Sequence, residues 1–143
     1  MNPTDRTERP YLDLTVQLVL GAAAAVPVGV RLGYDPADPL AVRLDFHGAS
    51  EAVPPWFLSR DQLRGGLRTP TGEGNVRVCP PCACHGPGTV RIVLRGREGA
   101  AVLYVPAAPL RGWLAGTFAA VPAGTEGTLI HWDEVVTELL RHG

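Results

Sequence analysis

Leu12, Leu14, Val16, Leu18 and Leu20 alternate with Asp13, Thr15 and Gln17. A period of two sends successive side chains to opposite faces, so this segment reads as a half-buried strand. Val26, Val28, Val30, Leu32 and Tyr34 repeat the pattern, interrupted by Pro27 and Gly29, which suit an edge or a bulge. Leu40, Val42, Leu44 and Phe46 make a third face, with Arg43 and Asp45 opposite. The GAAAA run at 21–25 and the DPADP run at 35–39 read as the turns between them. In the second, Asp bonds its own backbone and Pro fixes φ. Three strands on short turns predict an antiparallel meander. Leu14, Val16, Leu18, Val28, Val30, Val42 and Leu44 should then face a buried side, and Thr15, Gln17, Arg31 and Arg43 should not. A one-residue slip would invert every assignment.

Further along, Trp56, Phe57 and Leu58 suit a short fourth strand. Ser59 and Gln62 fit a capping box, and Leu58 with Leu63 a hydrophobic staple, so a helix should begin there. Gly65 and Gly66 should end it. Residues 69–75 read as a loop, and Val76 and Val78 begin another strand. Val90, Ile92 and Leu94, then Ala100 to Val105, suggest a hairpin with a four-residue connection from Gly96 to Gly99. Beyond it the period becomes helical. Leu110, Trp113, Leu114, Phe118 and Val121 form one stripe; Trp132, Val135, Val136, Leu139 and Leu140 form another. The expected class is α+β: antiparallel β-sheets with a C-terminal helical hairpin. With 143 residues the chain makes one domain over 11–143, after a disordered tail over 1–10. The 17 Gly and 14 Pro agree with many turns and short strands.

Charge narrows the function classes. All 13 basic residues are Arg, which excludes Schiff-base and P-loop lysine chemistry. An Arg-only chain rich in Ala, Gly and Pro suits a high-GC genome such as an actinobacterium's. Fourteen acids leave a net charge of −1, so there is no long-range attraction for nucleic acid or anionic membrane. The N-terminus lacks a secretory pattern, and the apolar stretch from Val16 to Val30 is too short and broken to span a bilayer. A cytoplasmic protein is expected, without membrane insertion.

The Cys79-Pro-Pro-Cys82-Ala-Cys84-His85 segment is the main candidate for chemistry. Cys79, Cys82, Cys84 and His85 would be the ligands of a zinc site, or the thiols the members of a redox pair. Structural zinc normally adds a second knuckle, and four ligands within seven residues close awkwardly around one ion. His47 or His131 would complete a site only by folding nearby. Thioredoxin-like thiols open a helix, whereas Pro and Gly here indicate a loop. Covalent haem needs His at position 83, which is Ala. Ordinary loop cysteines in a reducing compartment are the simpler reading. Nucleophile-elbow, Walker and dinucleotide patterns are absent. No catalytic residue and no cofactor is assigned. Trp56, Phe57, Trp113, Phe118 and Trp132 could stack on bases, with Arg31, Arg43, Arg77, Arg91 and Arg95 on a sheet face. The cancelled charge makes that footprint weak.

Four segments together carry a family resemblance. They are Val26 to His47, Trp56 to Val78, Val121 to Glu126 and Asp133 to Leu140. They hold the patterns L-x-Y-D-P-x-D-P-x-A-V, F-x-R-D-x-L-x-x-G-L, P-T-G-x-G-D/N-V-x-V and V-P-x-G-T-E. The chain resembles the SsgA-like family of actinobacterial sporulation and cell-division regulators. It has one extra residue before Arg60-Asp61, and the Cys segment stands where Trp-Pro and polar residues are usual. The resemblance implies a whirly-like fold assembled as a homotrimer and a non-enzymatic role. It implies septum-site selection or peptidoglycan remodelling through protein partners of the division machinery, FtsZ or other SsgA-like proteins, at division septa. Single-stranded nucleic-acid binding, as in whirly proteins, and a zinc or redox role of the Cys loop are the alternatives.

Overall fold

The computed structural model describes residues 11–20, 24–47, 54–82, 88–97, 99–125 and 140. Eight strands form one antiparallel sheet in the order β4-β3-β2-β1-β8-β7-β6-β5. They are β1 (Tyr11–Leu20), β2 (Val26–Gly33), β3 (Ala41–Phe46), β4 (Trp56–Ser59), β5 (Thr71–Glu73), β6 (Val76–Cys79), β7 (Thr89–Gly96) and β8 (Gly99–Pro106). Helix α1 (Arg60–Gly66) follows β4, and α2 (Ala107–Ala120) follows β8. The class is α+β, as the periodicity predicts. The first C-terminal helix is α2; the second apolar stripe, Trp132 to Leu139, lies outside the described residues, as does the tail.

The meander holds in register. Leu14 faces Val30, and Leu32 faces Leu44. Val16, Val30, Val42 and Leu44 are buried; Leu14, Leu18 and Val28 are half-buried. Thr15, Gln17 and Arg43 are exposed and Arg31 is half-exposed, so no slip has occurred. The turn after Tyr34 works as its residues require. Asp35 Oδ1 accepts the Ala37 N–H at 3.0 Å, and the Asp38 N–H reaches the Asp35 carbonyl at 2.8 Å.

Two short elements differ from the expectations. Residues 71–73, read as loop, form β5 and pair with β6, with Glu73 opposite Val76. The two-residue turn begins at Gly74 with φ +59°, the conformation that the first position of a type II′ hairpin turn needs. The β7–β8 hairpin is tighter than expected: Gly96 pairs with Gly99, leaving two residues between them rather than four.

The sheet curls, and α1 closes it. This helix follows directly from the β4 edge yet packs on β5 and β6 at the other end of the strand order. Gln62 Nε2 donates to the Val76 carbonyl at 2.9 Å, and Thr71 Oγ1 donates to the Gln62 carbonyl at 3.2 Å. The N-cap is the expected Ser59, whose Oγ accepts the Gln62 N–H at 3.1 Å. A Cβ at Gly66 would overlap the Val78 side chain, so only glycine lets the helix end sit on β6. The core collects Val16, Leu32, Leu44, Leu63, Val78, Ile92, Leu103, Leu110 and Leu114 between the inner sheet face and the helices.

Arg60 is fully buried. Its guanidinium lies 3.8 Å from the Phe118 ring centroid and 4.9 Å from that of Tyr34, and its Nη1 donates to the Thr117 carbonyl at 3.0 Å. It ties the start of α1 to the last turn of α2. Arg64 stacks on Phe118 at 4.1 Å.

Candidate functional site: a charged, aromatic sheet face

Antiparallel register gathers the odd-numbered residues of β1 to β4 into rows across the outer face. One row reads Asp13, Arg31, Asp45. The next reads Tyr11, Gly33, Arg43, Phe57. Directly opposite residues on one face are close enough to bond.

They do bond. Arg31 Nε donates to Asp13 Oδ1 at 2.8 Å and its Nη2 to Oδ2 at 3.1 Å, a bidentate pair. His47 Nε2 lies 3.1 Å from the same Oδ1. Arg43 Nε donates to Asp45 Oδ2 at 2.9 Å. The hydrogen bonds from Arg31, then from His47, pull the Asp13 carboxyl down from its ordinary 3.8 to about 2. The Arg31 guanidinium is raised by the same carboxylate. It also lies 4.9 Å from the centroid of the Tyr11 ring. That ring leans over Gly33, approaching to 3.2 Å of where a Cβ would stand.

Beside this network is an open pocket of about 370 Å³. Its lining includes Gly33 and Ala41, and Asp35 and Asp38 come from the turn beyond β2. Phe57 on β4 and Tyr11 on β1 are 57% and 52% exposed, large apolar surfaces left in water. A carboxylate held near 2 is a poor general base at neutral pH, because an efficient base titrates near the working pH. Paired charges around exposed rings suit recognition instead.

The sequence-derived candidates lie elsewhere. Cys79 is a half-buried free thiol at the end of β6, paired in register with Arg91. Cys82 is disulfide-bonded. Cys84, His85 and His131 lie outside the described residues. His47 joins Asp13 instead. Among the described residues, no cluster of three or more His, Cys, Asp or Glu could hold a metal ion. Of the aromatics considered for stacking, Trp113 and Phe118 are half-buried on α2, with Phe118 under two guanidinium groups, and Trp132 lies outside the described residues. Arg31 and Arg43 do line a sheet face, each already bonded to an aspartate. No helix among the described residues is long and apolar enough to cross a membrane. Sequence reasoning placed Arg31 and Arg43 on the polar face but missed the pocket, Asp13 and Tyr11. The alternating charges at 13, 31, 43 and 45 were the available signal.

Residues 28–126 match the family described as Streptomyces sporulation and cell division protein, SsgA. The sporulation-specific cell division protein SsgB of Streptomyces coelicolor is 42% identical over 90% of this chain and 93% of its own. SsgB of Frankia casuarinae is 34% identical over 98% and 97%. Solved structures agree. One, described with SsgB mutations that correlate to longitudinal cell division in S. coelicolor, superposes with a TM-score of 0.76 at 42% identity, covering 86% of this chain and 96% of that one. An SsgA-like sporulation-specific cell division protein from Thermobifida fusca gives 0.77 at 33% identity, over 92% and 95%. The chain therefore belongs to the SsgA family of sporulation and cell division proteins.

Proposed function

We propose that this chain is a non-enzymatic regulator of sporulation-specific cell division. It acts through protein–protein contacts in septum-site selection or peptidoglycan remodelling. It works as a cytoplasmic, whirly-like homotrimer concentrated at division septa, with FtsZ or other SsgA-like proteins as direct or indirect partners. The relatives supply the process: they are sporulation-specific cell division proteins along most of their length. The observation that carries the mode of action is the outer face of β1 to β4. Its two exposed rings are surrounded by charges that already satisfy one another, the composition of a protein interface rather than a reaction centre.

The experiment is affinity capture from sporulating cells with the wild-type chain, read by mass spectrometry against named division proteins. Enrichment of FtsZ or of other family members is expected; capture of neither refutes the partner assignment. Single-stranded DNA serves as the competing ligand. With Arg31 and Arg43 bonded to Asp13 and Asp45, we expect no shift of labelled DNA even at low salt. Metal analysis of protein purified without chelator should find zinc far below one per chain. A stoichiometry near one, which would require the Cys82 disulfide to be reduced, would move the function to the Cys79, Cys82, Cys84 and His85 loop.

A further inference from the structure

We infer that the outer face of β6 to β8 is a docking surface for an acidic segment of a partner protein, with apolar side chains between its carboxylates. This rests on the protein-contact reading and extends it to the half of the sheet away from the Asp13 network.

Register builds the face. Val90, Ile92 and Leu94 of β7 belong to the core, so Arg91, Val93 and Arg95 point outward. Arg77 of β6 stands opposite Val93 on one side and Val102 of β8 on the other, with Val19 of β1 beyond. A row of three valines therefore crosses the sheet and ends among three arginines. Arg77 is one strand away from Val93, and Arg91 and Arg95 are two residues to either side, roughly 7 Å along β7. Val93 is buried although it stands outside the core cluster, and Val19 and Val102 are half-buried.

Charge names the occupant. Among the described residues the ion pairs are Arg31–Asp13, Arg43–Asp45 and His47–Asp13, and none engages Arg77, Arg91 or Arg95. Glu73 of β5 is in register with Val76, which packs against the core, and not with Arg77. Glu98, in the β7–β8 turn, lies outside the described residues. Arg77 and Arg95 are exposed. Arg77 lies along Gly72, its Nε 3.4 Å from where a Cβ would stand, so β5 puts no side chain over it. Arg91 is half-buried, and its Nε makes no hydrogen bond. Like charges gathered this way repel one another, and incoming carboxylates relieve the repulsion while taking the guanidinium donors. A nucleic-acid backbone would meet the same charge, but single strands also need exposed rings for stacking. The row among these arginines is valine instead, and Tyr104, the ring opposite Arg91, is half-buried. Apolar side chains of a protein segment fit that row.

The test uses the full chain and three fluorescein-labelled peptides of equal length, with the same valines and with Glu, Gln or Arg between them. Fluorescence anisotropy should show saturable binding of the Glu peptide only, weakening as salt is raised. Arg77→Gln and Arg95→Gln should each weaken it by about fivefold, and Arg111→Gln on α2 should not. All three positions are exposed, and an unchanged melting temperature confirms the fold of each variant. Equal binding of the Arg peptide, no binding of the Glu peptide, or affinity unchanged by both sheet variants overturns the inference. Single-stranded DNA that displaces the Glu peptide overturns it too and gives the face to nucleic acid. The failure of the broader reading looks different. If no peptide binds while wild type and both sheet variants capture division proteins equally, this surface falls and the protein-contact reading stands. If wild type captures none while the Glu peptide binds through Arg77 and Arg95, only the broader reading falls.

Discussion

Asp13 titrates under the hydrogen bonds of Arg31 and His47, and its folded value of about 2 lies below the ordinary 3.8. A depressed carboxyl stabilises the fold above its unfolded value, and that contribution is lost as pH falls through the folded one. Asp13→Asn should therefore lower the melting temperature slightly at neutral pH, with the difference closing between about pH 4 and pH 2. Carbon-detected NMR titration should place the Asp13 midpoint near 2, and a midpoint at 3.8 would mean that the bidentate pair does not persist. Gly66 tests packing instead of charge. Its Cα faces Val78 with no room for a methyl group, so Gly66→Ala should cost about 1–3 kcal/mol in urea unfolding. The loss should shrink when Val78 is also cut to Ala, because the two side chains compete for one space.

At the scale of elements, α1 links the two ends of the strand order. Ser59→Ala removes its cap and should cost about 1 kcal/mol. Arg60→Ala removes a buried guanidinium that joins α1 to α2, and should cost about 3 kcal/mol or more, read as a shift of the urea midpoint. Both elements were legible in the sequence: Ser59, Gln62, Leu58 and Leu63 announce the helix, and Gly65 and Gly66 its end. The meander was legible too, since alternation over Leu12 to Leu20 admits no other regular structure. Strand β5 was not. Its three residues, Thr71–Glu73, carry no apolar alternation, and only pairing with β6 makes them a strand. Register was the other gap. A β2–β3 turn centred on Ala37 would set Arg31 against Arg43. The observed one, centred on Asp38, sets Arg31 against Asp45. A one-residue shift of the turn centre thus separates a repulsive pairing of Arg31 with Arg43 from an attractive one with Asp45, and strand patterning alone does not carry that information.

Among the described residues the sheet has two faces of different composition. Among the described residues, the inner face of the curled sheet, closed by α1 and α2, holds nearly all of the buried apolar side chains. The outer face of β1 to β4 is left to aromatic rings and matched charges. The neutral total charge hides this local pattern, which is why composition excluded long-range attraction yet could not locate the proposed recognition surface. If the proposed homotrimer forms, light scattering after size exclusion should give three times the chain mass, and one chain mass would refute it. The most direct test of recognition through the outer face is photocrosslinking in sporulating cells. A benzophenone amino acid replaces Phe57 on the outer face or, as control, Arg111 on α2. We predict that adducts from position 57 contain division-machinery proteins, FtsZ or other SsgA-like proteins, and that position 111 gives none. Equal yields from both positions, or adducts at 57 that contain only nucleic acid, would contradict the assignment of that face to protein recognition.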